Sequence, residues 1–540
     1  MTIKNFSLCV GIAFSCALIN LHADDDEIAL SDIDVFDDAA TAQYLNSNTF
    51  SLKQSATPET IIELLKTFGV FDLLQLSFFR RTTVLNYRDV LDLPIFVNDY
   101  KRVYPRYDFG VQFFYDQTSA VYFSPHHDEI SHYIAIGNEN VIEALDLSIK
   151  KIQTVFPSFM FPLIDLFDIF ATTRVQERRM GGMFQFMRKF ERAKLSCYLP
   201  FYYRERNYFL TEDDKEAIEA LVGKSTQEDT EKLQREHLIS DKLGFGDMRL
   251  MLDFPGIKKD TYNMRWGLLL TIPTAVALIK GILGSSFKRH MTGQPTFSFT
   301  NIFELGSNPA TQSEAVDQAI KFLLGSLDRL SAMVLDKELG NNGHLGIGGY
   351  ITTKMPLTVF IKYAWAEALD LKGRIFVEYL VPKQERRYFV TKNVAAAFED
   401  RNFSDQSQAA QNLAFLEETF VNQFYPYILD TVVHPGLIFM WTSKLTYETP
   451  SWSFHLGTDT WIQTPEHFGT IAATPTLLSR LDIHKARNLW AYQSSVLASL
   501  IFNINHQHAT TVIALNGSYV LANYGIGGEF TLGLTIEKNF

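Results

Sequence analysis

The chain ends Phe530-Thr-Leu-Gly-Leu-Thr-Ile-Glu-Lys-Asn-Phe540, and this alternation constrains the fold more than any other stretch. Side chains on a strand point to opposite faces with period two. Phe530, Leu532, Leu534, Ile536 and Phe540 therefore share one face. Thr531, Gly533, Thr535, Glu537 and Asn539 share the other. One face seeks an apolar medium and the other a polar one, and the pattern runs up to a terminal aromatic ring.

A final strand of this kind resembles the closing strand and sorting signal of bacterial outer-membrane β-barrels. The resemblance implies recognition of Phe530, Leu532, Leu534, Ile536 and Phe540 by the barrel-assembly machinery. Lys538 departs from it, since the family more often has a hydrophobic residue there. The N-terminus reads consistently. Lys4 precedes an apolar run from Phe6 to Leu21, and Leu21-His22-Ala23 before Asp24-Asp25-Asp26 predicts a cleavable signal peptide over residues 1–23. The run is short for a spanning helix and is followed at once by three acidic residues.

Acidic residues outnumber basic ones, 61 to 49, which argues against a nucleic-acid partner. Cys9 and Cys16 lie in the predicted signal, so the mature chain retains Cys197 alone and no internal disulfide. Aromatic residues make up 14 % of the chain. They suit a lipid-facing surface with interfacial girdles, and a large soluble β-rich core equally.

Period-two alternation recurs from about residue 243 onward. Met248–Phe254, Tyr262–Ile272, Leu357–Trp365, Ile375–Tyr379, Trp452–Ile462 and Val496–Phe502 each read as a strand. Several of these runs have the nine to twelve residues, roughly, that a tilted strand needs to cross a bilayer. Phe109–Phe113, Met183–Phe190 and Leu195–Tyr203 extend the pattern to the first half, and Leu74, Leu76 and Phe78 add a further candidate. Helices are signposted at Thr57-Pro58, Thr211–Asp214, Thr311–Glu314 (a capping box) and about 407–420. In a spanning barrel they belong in loops or lumen.

The expected architecture is all-β dominated: a closed antiparallel transmembrane barrel of about 14 strands, in a range of 12 to 16. Residues 24–69 form an acidic N-terminal extension or plug. Residues 70–540 form the barrel, with long loops at 274–344, 382–434 and 463–488. Counting back from a periplasmic Phe540 places 382–434 and 463–488 outside. The same count leaves 274–344 on the periplasmic side, which is anomalous for a connection so long.

Strand alternation places Arg249, Arg265, Lys362, Arg374, Glu378, His455 and Asp459 on lumen-facing positions. Arg178, Arg179, Arg188, Lys189, Arg192 and Lys194 either form a basic pore wall or a hairpin with solvated charges at its turn. His126-His127-Asp128-Glu129 with His132 reads as a polar loop rather than a metal site. No hydrolase elbow, phosphate-binding glycine loop or zinc-protease motif occurs, so no enzyme, cofactor or metal is expected. Gly244-Phe-Gly-Asp-Met-Arg-Leu250 is similar to strand openings in outer-membrane transporters of aromatic-compound degradation. Asn308-Pro-Ala310 is similar to a tripeptide of long-chain fatty-acid transporters, although theirs lies near the mature N-terminus. These resemblances imply an outer-membrane channel or transporter for a small solute. The alternatives are a barrel-anchored adhesion protein and a soluble exported α+β protein.

Overall fold

The computed structural model describes residues 57–67, 107–120, 174–209, 238–259, 261–281, 297–307, 338–389, 391–392, 406–424, 426–488, 490–505, 510–524 and 528–539. A few single residues between these stretches are also described. The candidate strand at Leu74–Phe78, the cluster at His126–His132 and the ring of Phe540 lie outside them.

The strands in chain order are β1 (Tyr107–Ala120), β2 (Arg174–Lys189), β3 (Lys194–Phe209), β4 (Ile239–Phe245), β5 (Met248–Lys259) and β6 (Tyr262–Ile272). Next come β7 (Val276–Lys280), β8 (Gly346–Pro356), β9 (Leu369–Leu380), β10 (Lys383–Phe389), β11 (Tyr427–His434) and β12 (Leu437–Glu448). The last are β13 (Trp452–Gln463), β14 (His467–Ile471), β15 (Ala491–Asn505), β16 (Thr510–Tyr524) and β17 (Gly528–Asn539).

Twelve strands close into an antiparallel ring: β1, β2, β3, β5, β6, β8, β9, β12, β13, β15, β16 and β17, with β17 pairing back onto β1. The closing seam runs from Asp108 opposite Asn539 to Ala120 opposite Gly528. The ring therefore has two strands fewer than the 14 expected. Twelve is the lower bound of the expected range, and bends divide two of these wall strands into segments. β3 pairs with β5 through Lys194–Tyr198 and with β4 through Phe201–Asn207, so β4 and β5 form one wall strand broken at Gly246-Asp247. β6 and β7 are likewise one strand broken at Pro273, whose ring cannot donate to the ladder.

The same device recurs across the ring. The pairing of Tyr379 with Leu437 continues past Pro382 and Pro435 as Lys383 with Val433. The pairing of Ile438 with Gln463 continues past Pro465 as His434 with His467. Gly436 takes a φ of 88° at this bend, where a side chain would be strained. The three-stranded sheet β10-β11-β14 is thus the upward continuation of the barrel wall beyond a row of proline kinks.

Short connections gather at the end where β1 starts and β17 finishes, here the near end: 190–193, 260–261, 357–368, 449–451 and 506–509. The far end holds the long ones, 121–173, 210–238, 281–345, 390–426 and 464–490, together with the short turn 525–527. The connection 281–345 therefore belongs with the other long ones, opposite the end where the count had left 274–344, whose residues 276–280 form β7. The run Leu357–Trp365 is not a strand. It forms two short 3-10 turns, Leu357–Val359 and Ala364–Ala368, which join β8 to β9 at the near end. The strand there is β8, which glycines at 346, 348 and 349 hide from a pattern search.

Helices sit away from the ring. Those whose full extent is described are α1 (Pro58–Thr67), α2 (Phe299–Ser307), α3 (Ala409–Phe424), α4 (Pro475–Arg480) and α5 (Ile483–Ala486). α1 starts as its sequence suggests: the Thr57 hydroxyl accepts from Thr60 N–H at 3.4 Å. The hydroxyl of Thr311 donates to the Leu305 carbonyl at 2.9 Å, while Glu314 N–H reaches the Thr311 backbone carbonyl. The described residues that follow Thr311, up to Leu335, are helical. No described helix is long and apolar enough to cross a membrane, which says nothing of strands.

Candidate functional site: the barrel interior

Alternation gives the wall two different faces. On β17, Leu532, Leu534 and Ile536 are exposed on the outside, whereas Thr531, Thr535 and Glu537 are buried inside. On β1, Phe109 and Phe113 face out, and Asp108, Gln112 and Asp116 face in. Phe530 packs against Tyr115 on the neighbouring strand, ring centroids 6.0 Å apart. Water-soluble sheets bury the apolar face; this wall exposes it.

The interior is not uniformly polar. Met183, Tyr198, Met251, Leu269, Tyr350, Phe376, Met440 and Trp461 form part of one buried apolar cluster fed by nine of the ring strands. Arg249 stands over the Phe376 ring at 5.5 Å and Arg374 over the Tyr350 ring at 5.8 Å. Charged networks lie on either side of this belt. Toward the near end, Lys354 pairs with Asp370 (2.7 Å) and Glu448 (3.2 Å), and Lys372 also reaches Glu448 (2.7 Å). Toward the far end, Arg179 bonds Asp116 and Glu529, and Arg206 bonds Glu177.

Three further contacts bridge strands that are not neighbours, each across a glycine of the strand between. The Tyr350 hydroxyl on β8 donates to Asp253 Oδ1 on β5 at 2.6 Å, across Gly267 of β6. Thr271 on β6 donates to Glu378 Oε1 on β9 at 2.5 Å, across Gly346 of β8. Gln185 on β2 donates to Glu537 Oε2 on β17 at 3.0 Å, across Gly110 of β1. A β-carbon at Gly110, Gly267 or Gly346 would collide with the side chain that crosses it. Glycine in these strands marks a close approach rather than a weak point.

The sequence-predicted interior residues divide. Arg249, Glu378, His455 and Asp459 are buried on the inner face. Arg249 Nη2 lies 3.5 Å from Glu378 Oε2, and Asp459 accepts from Thr442 at 2.7 Å. Arg374 is half-buried on the same face. Arg265 occupies an inward register but is exposed near the end of β6. Lys362 is corrected: it stands exposed in the near-end turn, on no strand, because the alternation around it belongs to Tyr363 and Trp365 at the barrel rim.

The basic segment forms no basic pore wall. Arg178, Arg188, Lys189 and Arg192 are exposed, with Arg188 over Tyr107 at 5.3 Å and Phe190 at 4.9 Å. Arg179 and Lys194 turn inward, and both are matched by carboxylates: Arg179 by Asp116 and Glu529, Lys194 by Asp253 at 3.1 Å. Asp116, Glu177, Arg206, Asp253, Tyr350, Lys354, Glu448 and Glu529 were not singled out from sequence. Each lies on the inner face once its strand is known.

Asp247 has a structural role. It occupies the break between β4 and β5, where its carboxylate accepts from Ala275 N–H (3.1 Å) and Asn341 N–H (2.6 Å). Thr274 adds a clasp, donating to the Gly246 carbonyl and accepting from Met248 N–H. The Gly-x-Gly-Asp motif thus holds the bend of two wall strands. Among the described residues, no group of three or more His, Cys, Asp or Glu is arranged to hold a metal ion.

Fold and faces define a class: a closed antiparallel β-barrel, apolar outside and largely polar inside. No family model and no curated protein matches the chain. Solved structures do. The COG4313 outer membrane channel from Pseudomonas putida F1 is 10 % identical with a TM-score of 0.37, covering 82 % of this chain and 98 % of that one. The Pseudomonas putida toluene transporter TodX is 9 % identical with a TM-score of 0.27, covering 86 % and 96 %. The transport unit of the autotransporter AIDA-I from Escherichia coli is 5 % identical with a TM-score of 0.31, covering 87 % and 97 %. The chain is weakly similar to outer-membrane channels and transporters, hydrocarbon channels among them.

Proposed function

We propose that the protein is an outer-membrane channel that passes small solutes by a non-enzymatic route, with the barrel interior as the path. The carrying observation is the closed ring with Leu532, Leu534, Ile536, Phe109, Phe113 and Phe184 exposed on its outer wall. A twelve-residue strand such as β17 is about 40 Å long, or about 30 Å high at the tilt of roughly 40° common in barrels. That height matches a hydrocarbon layer. Exposed aromatic residues at the near end, Tyr107, Phe190, Tyr363, Trp365 and Trp452, suit an interfacial girdle. Tyr363 and Trp365 stack there at 6.3 Å. In this reading the near end faces the periplasm and the long connections face outward, after removal of a signal peptide over 1–23.

The apolar belt between charged networks favours a solute with an apolar body over a freely hydrated ion. Purified protein in a planar bilayer is expected to show discrete conductance steps. Replacing Trp461 and Met440 with Ala is expected to raise the step size. A chain that inserts yet, in either form, neither carries current nor admits an apolar-bodied solute to liposomes contradicts the channel reading.

That second outcome favours a barrel serving as an anchor. The sheet β10-β11-β14 and the packing of Phe389, Leu481, Ala486, Tyr427 and Phe468 beneath it build a folded platform at the far end. Such a platform could hold contacts to other cells or partners.

A further inference from the structure

The outward charge of the near end is gathered on three neighbouring hairpins. Arg188, Lys189 and Arg192 lie at the β2–β3 turn, Lys258 and Lys259 at the end of β5, and Lys362 in the connection from β8 to β9. These strands are consecutive in the ring, in the order β2, β3, β5, β6, β8, β9. All six side chains are exposed. Among the described residues none of the six has a carboxylate at ion-pair distance, whereas the inward-facing Lys194 and Lys354 of the same strands do. The carboxylates of these turns are Glu191, Asp260 and Glu367. The other near-end turns hold no Lys or Arg: 449–451 reads Thr-Pro-Ser and 506–509 reads His-Gln-His-Ala. The positive charge therefore occupies one arc of the rim.

This arc lies at the foot of the apolar outer wall. Phe109, Phe184, Trp266 and Leu268 face outward on the strands that lead to it. Arg188 lies over the rings of Tyr107 and Phe190, at 5.3 Å and 4.9 Å, and Lys259 over Tyr262 at 5.6 Å. Lys362 directly precedes the exposed Tyr363. Aromatic rings at the edge of a spanning wall take the level of the lipid headgroups. Long basic side chains beside them lay their stems along apolar surface and keep their charged heads in the polar layer. A cation at that level with no carboxylate beside it finds its counter-charge outside the protein. Phosphate oxygens suit it, since a guanidinium offers them paired donors. A soluble acidic partner would leave the rings beside these cations without a role.

We propose that this arc of the near rim is a binding surface for anionic phospholipid, with the headgroup phosphate on Arg188, Arg192, Lys258 and Lys259 and the acyl chains along the outer wall above them. The proposal rests on the membrane-spanning reading and adds a preferred side of the barrel to it. Basic side chains near an anionic leaflet each add an attraction that salt screens. The arc of the 449–451 and 506–509 turns offers no such attraction, so lipid preference is local to three hairpins and not a property of the whole rim.

The test is the association of spin-labelled lipids with the full-length protein reconstituted in phosphatidylcholine vesicles. The motionally restricted fraction of spin-labelled phosphatidylglycerol is compared with that of spin-labelled phosphatidylcholine. The native barrel is expected to prefer phosphatidylglycerol by about threefold or more at low salt. That preference is expected to vanish at about 1 M salt, where charges are screened within about 3 Å. The variant R188Q/R192Q/K258Q/K259Q is expected to hold both lipids equally. R386Q/K392Q, which removes two exposed cations of the far end, is expected to keep the native preference. The salt response needs no variant and decides the matter should the substituted chain not fold. Equal association of both lipids with the native barrel, or a preference that the near-end variant retains, overturns the lipid surface and leaves the barrel reading standing. A chain that restricts neither lipid overturns the membrane-spanning reading and the lipid surface with it.

Discussion

At Gly267 the missing β-carbon is what allows Tyr350 to cross a whole strand and reach Asp253. The period-two pattern assigns such a residue to a face but cannot say what lies above it, because the crossing partner is nearly a hundred positions away. For the same reason Arg249, Glu378 and Asp459 were legible as inward-facing, whereas the bridges that hold them were not. Lys362 failed because two exposed aromatics imitated one face of a strand. The glycine argument predicts that Gly267→Val forces the Tyr350 ring off Asp253 and costs about 1–3 kcal/mol of stability through overpacking. Adding Tyr350→Ala should recover part of that loss, since the two residues compete for one space. Unfolding midpoints in detergent for the two single variants and the double variant check this. A strictly additive result contradicts the bridging geometry.

At the level of elements, strands were legible wherever large apolar residues alternate with polar ones. Tyr262–Ile272 and Trp452–Ile462 fall within β6 and β13. β8 was missed because Gly346, Gly348 and Gly349 leave too little side chain to show a pattern, although Tyr350 and Ile351 take opposite faces. The ring's twelve strands fall at the lower bound of the expected 12 to 16, and proline and Asp247 bends divide two of the continuous wall strands into segments. β17 was legible from Phe530 to Asn539, and its outward face carries Leu532, Leu534 and Ile536 of the expected assembly signal. Removing Phe540 is expected to lower the yield of folded barrel in cells while leaving the unfolding midpoint of the purified barrel unchanged. Folded yield and midpoint measured side by side check it. An equal loss of both would make the terminal ring a packing residue instead of a recognition signal.

For the whole molecule, closure is the property that matters most. A closed ring leaves no strand edge without a partner, and this is what permits β-structure in hydrocarbon. The chemistry of the interior follows from the same closure: charged networks near both ends and an apolar belt between them, with helices in the far-end connections. The most direct test is electrophoretic mobility in SDS of protein from the outer-membrane fraction, heated and unheated. A detergent-resistant closed barrel stays compact until boiled, so a faster unheated band that shifts on heating is predicted. Identical mobility, with the protein recovered from the soluble fraction, would contradict the barrel and return the chain to the class of soluble exported β-rich proteins.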